Sequence, residues 1–134
     1  ELQAPVQHKT VATRAGLGWI GKNGLLVTRT YGPRVRLSSI FTDMPLPVAE
    51  PVVAGACGTC RRCVEACPAH ALTGAAWRVG VARSDLVNVH QCESMATQLL
   101  QARAGVSNAV CGICIAVCPL ARLSVGNRGH ERNK

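Results

Sequence analysis

The chain has 134 residues, with 15 lysines and arginines against 7 aspartates and glutamates. Its two tryptophans, one tyrosine and one phenylalanine predict a thin hydrophobic core, enough for one modest domain or a small domain with part of another. The first residues are neither a signal peptide nor a basic, serine-rich targeting sequence, and the uncharged stretch 104–121 contains too many cysteines and polar residues for a membrane span. Because the chain begins at Glu1, we expect a piece of a longer polypeptide.

The first segment predicts a short helix over residues 6–15, followed by Gly16, which can take the left-handed conformation after its end. Residues 15–24 then contain four glycines, which let the backbone approach a ligand closely. Their spacing fits neither the dinucleotide-binding nor the phosphate-binding glycine pattern. A buried glycine-rich connection is therefore the alternative interpretation.

Two strands are predicted next, over residues 25–30 and 35–41, joined by a turn at 31–34. A hairpin of this length needs more sheet to be stable, so this segment resembles the end of a larger α/β domain. The proline-rich residues 45–52 cannot continue a helix or a central strand, and they predict a stiff linker.

The cysteines form two related motifs. The first reads Cys57-Gly-Thr-Cys60-Arg-Arg-Cys63-Val-Glu-Ala-Cys67-Pro, which is the C-x2-C-x2-C-x3-C-P spacing of bacterial ferredoxins. The second reads Cys111-Gly-Ile-Cys114-Ile-Ala-Val-Cys118-Pro and lacks one cysteine, since Asn108 stands opposite Cys57 when the motifs are aligned. This spacing suits metal better than disulfide bridges, which indicates a reducing compartment and makes the cytoplasm the default location.

Eight cysteines are the number that two [4Fe–4S] clusters require. Because the fourth cysteine of each ferredoxin motif binds the other cluster, and Cys92 is the cysteine left over, two ligand sets follow. We assign Cys57, Cys60, Cys63 and Cys118 to cluster 1, and Cys67, Cys92, Cys111 and Cys114 to cluster 2.

A helix from Asn88 to about Arg103, with Gly105 beyond its end, carries Cys92. Cys92 shares one helical face with Met95, Ala96, Leu99 and Leu100, which predicts that this face points inward. The alternative is a buried cysteine that binds nothing.

The net charge and the histidines indicate less about the function than the cysteine motifs do. The formal charge of +8 would fall to about +4 with two oxidised clusters of about −2 each, so part of the basicity compensates the clusters. Arg61 and Arg62 stand between predicted ligands and can offset their charge, whereas the basic tail is expected to be solvated. His70 and His90 are expected to lie beside the ligands or on the surface rather than to bind metal.

Three segments together carry a family resemblance: residues 14–24 (Arg-Ala-Gly-Leu-Gly-Trp-Ile-Gly-Lys-Asn-Gly), residues 40–48 (Ile-Phe-Thr-Asp-Met-Pro-Leu-Pro-Val) and the two cysteine motifs. The combination resembles the C-terminal half of epoxyqueuosine reductases and of the related cobalamin-dependent reductive dehalogenases. It departs from the first family at Asn23, where histidine is usual, and at Leu120-Ala121, where Trp-Asn is usual. These departures bear on the identity of the substrate.

The resemblance implies an α+β fold, in which a bacterial-ferredoxin-like domain with two [4Fe–4S] clusters follows the end of a nitroreductase-like α/β domain. The implied boundaries are 1–44 for the remnant of a cobalamin-binding-like domain, 45–52 for the linker, 53–124 for the double-cluster domain and 125–134 for the basic tail. The residues that match the loop near cobalamin are Gly16, Leu17, Gly18, Gly21 and Lys22.

The implied function is an electron-transfer module of a cobalamin-dependent oxidoreductase. Its partners would be a ferredoxin or flavodoxin as electron donor, an N-terminal cobalamin domain outside this chain, and a tRNA substrate. The chain is not expected to be catalytic alone, because it contains no general acid in a formed pocket. Two alternatives stay open: a free-standing two-cluster ferredoxin, which leaves the first 50 residues unexplained, and a structural zinc module.

Overall fold

The computed structural model describes residues 6–123, in an α+β arrangement. The helices are α1 (His8–Arg14), α2 (Arg62–Glu65), α3 (Arg83–Leu86), α4 (Val89–Ala104), α5 (Ile113–Ala116) and α6 (Pro119–Leu123), and the strands are β1 (Trp19–Ile20) and β2 (Leu26–Val27). The predicted basic tail at 125–134 lies outside the described residues. Over the described range, no helix has the length and apolar character needed to cross a membrane.

Helix α1 lies within the predicted segment and ends as expected. Gly16 has a φ of +70°, and the amide of Leu17 donates to the carbonyl of Ala12 at 3.0 Å, which closes the last turn. Ala12 and Thr13 are the buried residues of this helix. The helix is short, so packing of this face holds it in place.

The predicted hairpin of residues 25–30 and 35–41 is wrong. β2 pairs instead with β1, inside the glycine-rich stretch, in an antiparallel register that places Trp19 opposite Val27. The reversal is made by Gly21, whose amide donates to the carbonyl of Leu25 at 2.9 Å, and by Gly24, whose φ is +69°. Glycines at these two positions permit the reversal over residues 21–25, before the turn predicted at 31–34. Residues 35–41 form neither a strand nor a helix.

One buried group joins both halves of the chain. Ala12, Ile20 and Leu26 from the N-terminal segment pack with Leu86 from α3, and partly buried Trp77 adds to them. The amide of Val52 also donates to the carbonyl of Thr13 at 2.9 Å. The segments before and after the predicted linker therefore share one hydrophobic core, and the boundary at 45–52 stays a prediction.

A second buried group lies beneath the cysteine motifs. It contains Cys67, Ala71, Leu72 and Val87, and its partly buried neighbours include Cys63, Val64 and Cys114. Cysteines are thus part of the packing of this half of the chain. Since the core is small, ligand binding by these cysteines would add to its stability.

Helix α4 confirms its predicted ends. The Asn88 side chain accepts a hydrogen bond from the Gln91 amide at 3.2 Å, and Gly105 is left-handed at the other end. Ala96 is buried, while Met95, Leu99 and Leu100 are half-buried on the same face. The inward-facing prediction is therefore correct for the apolar residues of this face, while Cys92 is exposed as a residue and has its thiol near those of Cys67 and Cys111.

Candidate metal centre

The two cysteine motifs adopt the same local structure, as their alignment predicts. In α2 and in α5, each four residues long, the second residue is a cysteine: Cys63 and Cys114, respectively. Each helix is followed by one residue in right-handed helical conformation and then by another cysteine, Cys67 or Cys118. α2 and α5 also contact each other. The structural repeat places the middle cysteines of the two motifs on adjacent helices.

All eight cysteines lie within the described residues and are free thiols. In the predicted cluster 2 set, the thiol of Cys92 interacts electrostatically with those of Cys67 and Cys111, and the thiol of Cys114 interacts with all three and also with Cys63 of the predicted cluster 1 set. These four residues come from three separate segments, and α4 supplies Cys92. The fold therefore places these four cysteines near one another, with Cys63 of the other predicted set also beside Cys114.

Three of the four predicted cluster 1 cysteines are also neighbours. The Cys63 thiol interacts with those of Cys57 and Cys60, and the amides of Cys63 and Val64 interact with its sulfur. The fourth, Cys118, follows α5, with its amide donating to the carbonyl of Ile115 at 3.2 Å. Its membership of cluster 1 stays a prediction, as does the pairing of all eight ligands with their clusters.

Crowding affects the protonation of these thiols in the metal-free chain. Burial raises the pKa of Cys114 to about 11, and the neighbouring thiolates, that of Cys92 most, add to the effect. Burial also raises the pKa of Cys63, with Cys57 and Cys60 contributing. Burial of its sulfur raises the pKa of Cys92 as well, although the residue as a whole is exposed. A bound metal would oppose these shifts, because it binds the thiolate form.

The spacing of the thiols bears on which metal they fit. Among residues 6–123, no three His, Cys, Asp or Glu side chains are close enough together to hold one metal ion. Four sulfurs around a zinc ion would lie about 3.8 Å apart, given Zn–S bonds of about 2.3 Å. A [4Fe–4S] cube takes one thiolate at each of four separate irons and so accepts a wider spacing. A [4Fe–4S] cluster therefore needs its thiolates farther apart than a zinc ion does.

The loop predicted to lie near cobalamin is packed largely against its own chain. Gly16 lies against the carbonyl of Glu50, and Gly18 against that of Val27. Leu17 is exposed, at 56% of its surface. Gly21 lies beside the cysteine motif, since a β-carbon there would be 3.6 Å from Cys57 Sγ. The close contacts of these glycines are thus internal, and their role toward cobalamin stays a prediction.

Lys22 occupies a position that the sequence did not indicate. The residue is 8% exposed, and its Nζ donates to the carbonyls of Gly58, at 2.8 Å, and Cys60, at 3.1 Å. Both carbonyls belong to the first cysteine motif. No local pattern could have revealed a contact that spans 36 residues of sequence.

The described histidines are exposed at the surface. His70 and His90 are exposed, and His70 is left-handed, with a φ of +48°. His8 Nδ1 lies 2.8 Å from Ser39 Oγ. His90 also lines an open groove of about 1290 Å³ between α1, β2, residues 77–83 and α4. That groove contains none of the eight cysteines, so the candidate metal centre lies elsewhere on the molecule.

Residues 56–121 match the family described as a 4Fe-4S double cluster binding domain. This range contains all eight cysteines and the helices α2 to α5. The match agrees with the two thiol groups described above.

Curated relatives extend the similarity toward the N-terminus. The chain is 37% identical over 123 residues to an epoxyqueuosine reductase of Pseudomonas aeruginosa, covering 90% of this chain and 33% of the relative. It is 42% identical over 118 residues to that of Gloeobacter violaceus, covering 86% and 36%. The chain therefore spans about a third of the length of these relatives and corresponds to their C-terminal part.

Solved structures show the same relationship. An epoxyqueuosine reductase crystallised with a tRNA-Tyr epoxyqueuosine-modified tRNA stem loop has a TM-score of 0.64 at 28% identity, covering 89% of this chain and 31% of that one. The enzyme from Streptococcus thermophilus has a TM-score of 0.60 at 34% identity, covering 84% and 30%.

Proposed function

We propose a function from the premise that this chain belongs to the epoxyqueuosine reductase-like proteins as their iron–sulfur module, with residues 56–121 as its 4Fe-4S double cluster binding domain. The module binds two [4Fe–4S] clusters and relays electrons one at a time. Its ligands are the two predicted sets, cluster 1 with Cys118 and cluster 2 with Cys92. When bound, each cluster accepts or donates one electron at a time, and no covalent bond of the protein is formed or broken.

The observation that carries this proposal is that seven of the eight free thiols interact with one another around a duplicated cysteine and helix unit. Eight free thiols match the requirement of two clusters for four thiolates each. The amides of Cys63 and Val64 at the Cys63 sulfur are of the kind that stabilise a thiolate ligand. The chain around the thiols holds the ligands in place and shields part of each site from water.

The electron acceptor, we propose, is a cobalamin held by a preceding nitroreductase-like domain outside this chain. The division into 1–44, 45–52, 53–124 and 125–134 belongs to the same proposal. It is supported by the resemblance of the glycine-rich loop and by the position of that loop against the first cysteine motif, where Gly21 neighbours Cys57. Leu17 offers the exposed side chain of this loop to a neighbouring domain.

For partners, a ferredoxin or flavodoxin is the proposed donor and a tRNA the proposed substrate of the whole protein. The tRNA proposal is supported by the relative whose structure contains a tRNA stem loop and by the formal charge of +8. Fluorescence anisotropy with a tRNA stem loop tests it. Binding that weakens steeply with salt is expected, and absence of binding at low salt would contradict it. The cytoplasm is the proposed location, because a reducing compartment preserves free thiols.

The two alternatives are less well supported. A free-standing ferredoxin does not explain why Ala12, Ile20 and Leu26 from the N-terminal segment form a core with Leu86. A zinc module does not explain the match to a 4Fe-4S family. Neither alternative accounts for similarity to epoxyqueuosine reductases over about 90% of the chain.

Coulometric titration of the anaerobically reconstituted chain tests the proposed function. We expect about two electrons per chain, one for each cluster, accepted from dithionite and returned to an oxidised viologen. A chain that takes up about one electron would have a single cluster. A chain that takes up none would not be an electron relay.

A further inference from the structure

We propose that Lys22 is a positioning residue that raises the reduction potential of cluster 1. It does so through its buried charge and through its hydrogen bonds to the loop that carries Cys57 and Cys60. This inference rests on the proposed function, because it requires a cluster at those cysteines. It gives Lys22 a role inside the electron relay, whereas the family resemblance assigned it to the loop near cobalamin.

The geometry begins with the burial of Lys22. A lysine with 8% of its surface exposed is unusual unless its ammonium group is satisfied, and here two backbone carbonyls accept its hydrogen bonds. The carbonyls belong to Gly58, which follows the first predicted ligand Cys57, and to Cys60, which is the second predicted ligand. The ammonium group is therefore fixed against the backbone of the predicted cluster 1 loop.

The same contacts orient two amide groups. In a trans peptide the N–H points opposite to the C=O, so the amides of Thr59 and Arg61 point away from Lys22. Within residues 6–123, neither amide has a hydrogen-bond partner. Free amides in a ferredoxin-type loop are donors for cluster sulfur, and such hydrogen bonds raise the reduction potential.

Charge acts in the same direction. Reduction adds one electron to a thiolate-ligated cluster, taking its charge from about −2 to about −3, with no bond formed or broken and no proton required. A buried cation nearby favours the more negative state. Arg61 and Arg62 are also near the ligands but are exposed, so water and salt screen their charges. Burial thus singles out Lys22 as the cation with the largest effect.

The test is a redox titration, followed by electron paramagnetic resonance, of the reconstituted 134-residue chain and of K22M, K22Q and K22R. Lys22→Met and Lys22→Gln remove the charge, and glutamine keeps one hydrogen-bond donor. We expect one of the two midpoint potentials to fall in both neutral variants, by about tenfold in the reduction equilibrium, which is about 59 mV. The second midpoint serves as an internal reference, and Lys22→Arg should restore the first.

Two control variants separate this role from general effects. Lys9→Met removes another lysine that donates to a backbone carbonyl, that of Gly24 at 2.6 Å, outside the cysteine motifs, and both midpoints should stay unchanged. Arg62→Met removes an exposed charge between ligands and should produce a smaller shift than Lys22→Met.

Three outcomes would overturn the inference. The first is unchanged midpoints in both neutral variants while both clusters are present. The second is equal shifts in Lys22→Met and Arg62→Met. The third is loss of cluster 1 in both neutral variants, which would make Lys22 a structural residue only. If the reconstituted wild-type chain contained no iron and sulfide, that result would instead contradict the proposed function itself.

Discussion

Gly18 lies directly against the backbone carbonyl of Val27, so closely that there is no room for a β-carbon at position 18. The contact holds the turn after α1 against β2, and β2 in turn contributes Leu26 to the core shared by both halves of the chain. The glycine is therefore required by packing rather than by backbone conformation, since its φ is not positive.

Gly18→Ala should lower the free energy of unfolding by about 3 kcal/mol, because the added methyl group must displace backbone rather than a flexible side chain. Urea unfolding followed by far-UV circular dichroism measures the loss. Gly80→Ala is the control: its φ is +94° but nothing lies within 4 Å of an added β-carbon, so strain alone should cost roughly 1 kcal/mol. Equal losses in the two variants would show that the Val27 contact is unimportant.

Asn88→Ala should destabilise the start of α4 by about 1 kcal/mol, because the Gln91 amide loses its acceptor. Gln91→Ala is the matched control, since it keeps the backbone donor and changes only an exposed side chain. The same urea experiment compares them. If both variants had the same stability as the wild type, the cap would contribute nothing to the fold.

The crossed ligand sets make a prediction for double variants. Cys92→Ser with Cys111→Ser removes two ligands of cluster 2 and should leave about four irons per chain. Cys92→Ser with Cys118→Ser removes one ligand from each cluster and should leave close to none. Iron and sulfide analysis after anaerobic reconstitution distinguishes these results. Ser94→Ala, on the exposed surface of α4, should retain both clusters. Equal iron in the two double variants would refute the crossed assignment.

The metal-free chain should lose stability at alkaline pH. The pKa of Cys114 in the folded chain is raised to about 11 from 9.0, so folding favours the protonated thiol. The stabilisation is fully present below about pH 9 and is lost as the pH rises toward 11. The difference between the wild type and Cys114→Ser, measured by urea unfolding between pH 8 and pH 11, isolates this contribution. A difference that stays constant with pH would contradict the raised pKa.

Much of the architecture follows from local sequence. Asn88 and Gly105 mark the ends of α4 through capping, and the aligned motifs correctly predict that Cys63 and Cys114 occupy equivalent places on α2 and α5. The grouping of Cys67 with Cys92 also follows, because the ligand count left one cysteine to complete the second set. These features depend on neighbours in sequence or on a fixed spacing of ligands.

The errors concern which segments contact each other. Alternation of residue types predicts that one face of residues 35–41 is buried, and Val35 and Leu37 are indeed partly buried, but it cannot say which strand β2 will join. Likewise, Lys22 in a glycine-rich loop looks available to a ligand, whereas the fold turns it toward Gly58 and Cys60. Contacts between segments some 36 residues apart leave no local pattern in the sequence.

The central claim is that the eight cysteines bind two [4Fe–4S] clusters, and metal analysis of anaerobically purified chain tests it most directly. We predict about eight irons and eight sulfides per chain, with a broad visible absorption that dithionite bleaches. A colourless protein with about two zinc ions per chain would contradict the claim and identify a structural metal module instead.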